Sequence, residues 1–379
     1  MNLETIKHTQ LQILQQVLLK QNIPFVSYRL PLETEIVTLV QHHSLPESVT
    51  DLNDHANKPG FVMAPFTTQD HQTWFLKPDC VFFNDEIDDI YIEKLTNNNR
   101  FLVLTKSACR LQTSSLEEYT GNVATAVTAM KADKFHKVVL SKVRVEQLPD
   151  DFSTDQFFQK LCAKYPHAMV YLLNLPEVGC WMGATPEPLL VVENERVKTV
   201  SLAGTQIATG AALADYRWSE KEIEEQGIVT DFVEQTLKSL GVTDYLKQGP
   251  ENYQAANLIH LKTVFEFSQK DLGSKFSDFV SALHPTPSVG GLPKMEAREF
   301  ILKHENHDRS YYTGFLGPMN INNKTDLFVN LRCLQLFDKQ FVLYSGAGIT
   351  ASSDPEKEWV ETDNKMLTMM NVMMSPNGN

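Results

Sequence analysis

Two pairs of glutamates three residues apart, Glu222 with Glu225 in KEIEEQ and Glu358 with Glu361 in PEKEWVE, are the side chains best placed by spacing to do chemistry. On a helix this spacing puts both carboxylates of a pair on one face, where they repel by roughly a few tenths of a kcal/mol. An ordinary solvated face tolerates that cost, and taken singly each pair reads as such a face. Two such helices facing each other would instead build an all-oxygen site suited to Mg2+, which keeps several waters and leaves room for an anionic ligand.

Lys137 opens an otherwise apolar run, KVVLSK, and Glu187 follows a proline in GATPEPLL. A lysine acts as a base only where burial or a nearby cation lowers its pKa, and a carboxyl donates a proton near neutrality only where its pKa is raised. Each, on its own, also reads as a plain strand-end charge. The segment GAGITA fits a GxGxxA phosphate-binding turn, but that fingerprint needs a second parallel strand and an acid about twenty residues on, and only one more helix follows. Its glycines read either as a tight turn or as a place where a ligand approaches the backbone. Five cysteines in no CxxC or Cys/His spacing indicate free thiols, with neither a disulfide framework nor zinc.

The elements that must position these groups follow from periodicity. One N-terminal helix and then short apolar runs alternating with polar loops such as HANKPG and LTNNNR fill the region up to about residue 120. TGNVATAVTAMKAD suits a helix, KVVLSKVRVEQL a strand, and TDQFFQKLCAKY a helix capped by Ser153 or Thr154. LLVV and VKTVSL flank Glu193 to Arg196 as a hairpin, and LFVNLRCLQLF with QFVLYSGAGI makes a second one around Asp338-Lys339. Charged helices are expected near Trp218 to Leu240 and Pro355 to Met374. Hairpins alternating with helices, without a βαβ rhythm, favour antiparallel sheets covered by helices.

At 379 residues, 42% hydrophobic and 21% charged, the chain can bury a full core. The net charge of −13 without a basic cluster argues against binding to nucleic acid or an anionic membrane surface. The opening MNLETIKHTQLQILQQVLL is too polar for a signal peptide and no run has the length of a membrane span, so a cytoplasmic place is expected.

Taken together, KVVLSK, GATPEPLL, SLAGT, KEIEEQ, LHPTPSVGGLP, RSYYTGFLG, VNLRC, YSGAGI and PEKEWVETDNK resemble the chorismate-utilising enzymes, in that family's order, from Lys137 to about Met374. The resemblance implies an α+β fold of two large antiparallel β-sheets packed as a sandwich with helices outside. Residues 1–115 would be the variable N-terminal part and 116–379 the chorismate-binding catalytic part, together one interleaved domain. It implies Lys137 as the activator of water, Glu187 as the acid assisting departure of the C4 hydroxyl, Glu225 and Glu361 as Mg2+ ligands, and Glu222 and Glu358 as holders of metal-bound waters. Arg332, Tyr312 and the backbone at Gly346 and Gly348 would grip the enolpyruvyl carboxylate, with Thr205, His284 and Lys365 nearby. Two departures are visible: Gln226 where many members have histidine, and Pro188 where arginine is common.

Within that family, Ala203 in SLAGT disfavours an aminodeoxychorismate synthase, whose members carry lysine there. Lys137 disfavours an anthranilate synthase, so no glutaminase subunit is expected. The resemblance points to a Mg2+-dependent isochorismate synthase, an isomerase acting on chorismate as a monomer, with the paired glycines Gly290-Gly291 leaning toward that branch. A salicylate synthase, which eliminates pyruvate after the same first step, is the nearest alternative, and a catalytically silent chorismate-binding homologue the alternative of another class. Menaquinone and siderophore biosynthesis both stay open as pathways.

Overall fold

The structure, a computed structural model, describes residues 9–97, 109–255 and 258–374. The first eight residues of the stretch judged too polar for a signal peptide, and the end of the LTNNNR loop, lie outside the described residues. The chain runs through α1 (Gln10–Lys20), β1 (Phe25–Arg29), β2 (Val37–Val40), β3 (Glu47–Val49), β4 (Gly60–Ala64), β5 (Thr73–Leu76), β6 (Cys80–Phe83) and α2 (Asp89–Asn97). It continues with α3 (Leu116–Lys131), β7 (Lys137–Gln147), α4 (Thr154–Lys164), β8 (Met169–Leu175), β9 (Gly179–Thr185), β10 (Pro188–Glu193) and β11 (Arg196–Ile207). Next come α5 (Glu220–Ser239), β12 (Leu246–Ala255), β13 (Leu258–Ser268), α6 (Gln269–Leu272), α7 (Phe276–Leu283), β14 (Gly291–Leu292) and α8 (Lys294–His304). β15 (Phe315–Met319), β16 (Lys324–Val329), β17 (Cys333–Leu336), β18 (Gln340–Ile349) and α9 (Pro355–Met373) complete it.

Among the described residues eighteen strands form two antiparallel sheets of nine, ordered β14-β7-β18-β17-β9-β8-β1-β2-β6 and β12-β13-β11-β10-β16-β15-β4-β5-β3. Their facing sides share a core in which Tyr28, Tyr171 and Trp181 of the first sheet meet Phe61, Leu316 and Phe328 of the second. Helices cover the outer faces: α1, α4 and α9 pack on the first sheet, α5 and α7 on the second. This is the expected sandwich with helices outside. Three strands at one end of each sheet come from residues 25–83, with β1 paired to β8 and β4 to β15.

The hairpin of β10 and β11 forms as read, with Asn194 and Glu195 both at positive φ in its turn, as a two-residue hairpin with right-handed strand twist requires. Ser153 stands at the N-cap of α4, but its hydroxyl bonds Asp155 instead of a backbone N–H. α2 lies in the region read as strands and loops alone.

LFVNLRCLQLF is not one strand. β16 ends in the second sheet, β17 begins in the first, and Arg332 between them has φ 48, a left-handed conformation no strand continues through. The fully buried Asn330 pins the break, accepting from the Tyr171 hydroxyl at 2.6 Å and donating to the Tyr311 carbonyl at 2.8 Å. A second crossing, from β9 in the first sheet to β10 in the other, carries Pro186 and Glu187. The two crossings run side by side: Ala184 N–H donates to the Arg332 carbonyl at 3.0 Å, and Val329 N–H to the Glu187 carbonyl at 2.9 Å.

Candidate active site

The side-by-side crossings open onto a cavity of about 490 Å³. Glu187 and Arg332 line it from the crossings, Lys137 from the start of β7, and Tyr312 from the turn before β15. α5 contributes Glu222 and Glu225, α9 contributes Glu358, Glu361 and Lys365, and β18 contributes Gly346 and Gly348. Segments spread over more than two hundred positions of sequence thus meet in one place.

Lys137 is mostly buried, and its Nζ donates to Glu225 Oε1 at 2.5 Å. Gly348 makes room for it: a Cβ there would stand 3.1 Å from Lys137 Cε. Gly346 does the same for Tyr312, whose hydroxyl would lie 3.1 Å from an added Cβ. Both glycines sit inside β18 without positive φ, so close approach of neighbours, and not a tight turn, is what the glycines serve. Tyr312 is held in turn by stacking on Tyr344, ring centres 5.4 Å apart, and Tyr344 stacks on Trp181 at 5.3 Å.

Burial pushes the Glu187 carboxyl up to about 7, against the opposing pull of the Thr286 hydroxyl at 3.4 Å and the positive charges of Lys137, Arg332 and Lys365. Near neutrality this group therefore exists in both protonation states, as a proton donor must. Burial also lowers the pKa of Arg332, whose guanidinium has no hydrogen-bond partner among the described residues and faces the cavity. Lys365 donates to Glu361 Oε1 at 2.6 Å and to the Gly346 carbonyl at 2.9 Å; burial lowers its pKa while Glu361 works the other way. Arg332, Lys365 and Lys137 around one cavity make a seat for an anion.

The four glutamates suit a hard cation in donor type. Glu225 is taken up by Lys137 and Glu361 by Lys365, while Glu222 accepts from Ser219 N–H at 2.8 Å in the capping box that starts α5. Among the described residues no three His, Cys, Asp or Glu side chains stand close enough to form a ready-made metal site. Carboxylates of both helices line the same cavity, so the donor set fits Mg2+ in kind, with the two lysines holding one carboxylate of each pair.

One expected residue, His284, is not among those that line the cavity. The ring of His284 is buried against Phe315, its Nε2 lies 2.9 Å from the Thr313 carbonyl, and burial lowers its pKa to about 4, so it is neutral. Thr205 belongs to β11, and its side chain lies outside the described residues. His260 of β13 does line the cavity, its Nδ1 2.8 Å from the Gly204 carbonyl, and was not singled out in the sequence. Alternation in NLIHLKTVF places it on the less buried face of the strand with Lys262, a usable signal. Gln226, one of the two departures, is on the buried face of α5 and donates to Ser201 Oγ at 3.0 Å and Thr263 Oγ1 at 3.1 Å, tying the helix to β11 and β13.

Residues 81–374 match the protein family described as chorismate binding enzyme. The isochorismate synthase EntC of Escherichia coli strain K12 is 27% identical over 316 residues, covering 81% of this chain and 79% of that protein. Among solved structures, MenF, the menaquinone-specific isochorismate synthase from Escherichia coli, superposes with a TM-score of 0.79 at 19% identity, covering 98% of this chain and 92% of that one. Anthranilate synthase component I from Streptococcus pneumoniae TIGR4 superposes with a TM-score of 0.68 at 19% identity, over 91% of this chain and 92% of that one.

Proposed function

The chain belongs to the chorismate binding enzyme family, and on that premise we propose that it is an isochorismate synthase, interconverting chorismate and isochorismate. The observation that carries this reading is that Lys137 and a Glu187 carboxyl pushed up to about 7 line one cavity. Lys137 takes a proton from water as that oxygen bonds to ring carbon C2. The ring double bonds shift, the C4–O bond breaks, and the C4 hydroxyl leaves as water with the Glu187 proton. One water enters and one leaves.

Arg332 and the Tyr312 hydroxyl hold the enolpyruvyl carboxylate, which gives the guanidinium, without a hydrogen-bond partner among the described residues, its acceptor. Glu225 and Glu361 would hold Mg2+ directly, and Glu222 and Glu358 would hold its waters; the ion, when bound, supplies positive charge against a substrate carboxylate. A silent homologue would have lost an acid, base or carboxylate, and all of them line the cavity.

The purified protein with chorismate and Mg2+ should give a reversible mixture of chorismate and isochorismate by liquid chromatography, and added ammonia should give no anthranilate. Rapid, complete conversion to salicylate and pyruvate would make it a salicylate synthase, and no conversion of chorismate would overturn the reading.

A further inference from the structure

Behind the cavity wall lies an ion pair that the reaction scheme does not use. Glu305 and Arg309 are each 3% exposed at the side chain and are joined by two bonds, Arg309 Nε to Glu305 Oε2 at 2.7 Å and Nη2 to Oε1 at 2.6 Å. The rest of the guanidinium fork is spent on three other segments. Nη2 donates to the Val139 carbonyl at 2.6 Å, and Nη1 to the Val289 carbonyl at 3.1 Å and the Thr313 hydroxyl at 3.3 Å. Glu305 in turn accepts from Ser141 N–H at 2.6 Å and Ser141 Oγ at 3.0 Å, and Phe66 packs on the guanidinium with its ring centre 4.5 Å away.

Val139, Val289 and Thr313 all line the cavity. Val139 lies two residues after Lys137 on β7, so their side chains share a strand face. Thr313 follows Tyr312, in a turn whose Ser310 and Thr313 have φ of 49 and 59. A buried pair adds little stability over an apolar replacement of the same shape, so what it gives the protein is geometry.

We propose that Arg309, locked by Glu305, is a positioning residue for the reaction: it ties the strand that presents Lys137 to the Val289 segment and to the turn that presents Tyr312. The inference rests on the reading of Lys137 as the base. A lysine can keep the charge opposite Glu305 but cannot reach three further acceptors, because only the planar fork has donors in those directions. Loosening β7 by a fraction of an ångström moves the base relative to the substrate, and such a misplacement costs rate more than binding.

The test measures kcat, KM and melting temperature for the wild type, Arg309→Lys and Ser141→Ala, with isochorismate formation as the assay. Failure of the wild type to form isochorismate sinks the functional reading and is seen before any variant is made. For Arg309→Lys the expected result is a kcat lower by about ten- to a hundredfold, a KM for chorismate within about threefold, and wild-type pH midpoints for kcat/KM, in a protein still folded at the assay temperature. A kcat within threefold of wild type, or a KM that rises while kcat holds, overturns the proposal. Should Arg309→Lys not fold, Ser141→Ala carries the decision: a kcat reduced about threefold or more at unchanged melting temperature supports the network's role, and a wild-type kcat overturns it.

Discussion

Glu187 owes its place near neutrality to the crossing that carries it: the chain leaves one sheet there, and the carboxyl is left in the low-dielectric gap between the two. Its folded value of about 7 lies above the ordinary 4.5, so the folded protein binds this proton more tightly than the unfolded chain does. Stability tied to that proton is therefore present below pH 4.5 and is lost as pH rises through 7, a change of at most roughly 3.4 kcal/mol. Glu187→Gln should then melt higher than wild type by a margin that grows between pH 5 and pH 8, as scanning calorimetry at both values would show. The same substitution should abolish isochorismate formation, and wild-type kcat/KM should decline above about pH 7 as the donor loses its proton. Residue type made Glu187 and Lys137 candidates, and the resemblance to the chorismate-utilising enzymes raised both above ordinary strand-end charges and added Arg332. What they could not show is the pKa of Glu187 or the partner of Lys137, since both depend on groups that are distant in the chain.

At the scale of elements, β18 and its two glycines separate what was legible from what was not. The strand pattern in QFVLYSGAGI is plain, but the reason for glycine at position 348 lies on another strand, in the Lys137 side chain. Gly348→Ala should fold as well as wild type or slightly better, because an extended alanine loses less freedom on folding than glycine, by about 0.5–1 kcal/mol. Its kcat should nonetheless fall about tenfold, the methyl pressing on Lys137 Cε; steady-state rates and a melting curve on the same sample check both halves. The break in LFVNLRCLQLF was hidden for a different reason. Apolar alternation continues across it, and a left-handed arginine has no marker in residue type, whereas a glycine there would have announced a turn.

At the scale of the whole molecule, α5 and α9 stand on the outer faces of different sheets and bring their carboxylates to one cavity, so a cation bound between them would join the two halves of the sandwich. A ligand that binds only the folded state stabilises it by about 2.7 kcal/mol at a hundred times its dissociation constant. Millimolar Mg2+ should thus raise the melting temperature of the wild type. Glu225→Gln and Glu361→Gln should lose most of that rise together with activity, and an unchanged rise in both would remove these glutamates from the metal site. The sheets themselves were legible from hairpin patterns, while the pairing of β1 with β8 and β4 with β15 was not, since strands remote in sequence carry no mark of their partners. The paired crossings have one more consequence. Glu187 and Arg332 stand at two of the points where the chain passes from one sheet to the other, so neither sheet alone contains the cavity, and a molecule halfway through refolding is expected to be inert however much strand it has formed. Enzyme activity is then a reporter of final assembly: during refolding it should return later than the far-ultraviolet circular dichroism signal, in step with the burial of Trp181 between the sheets.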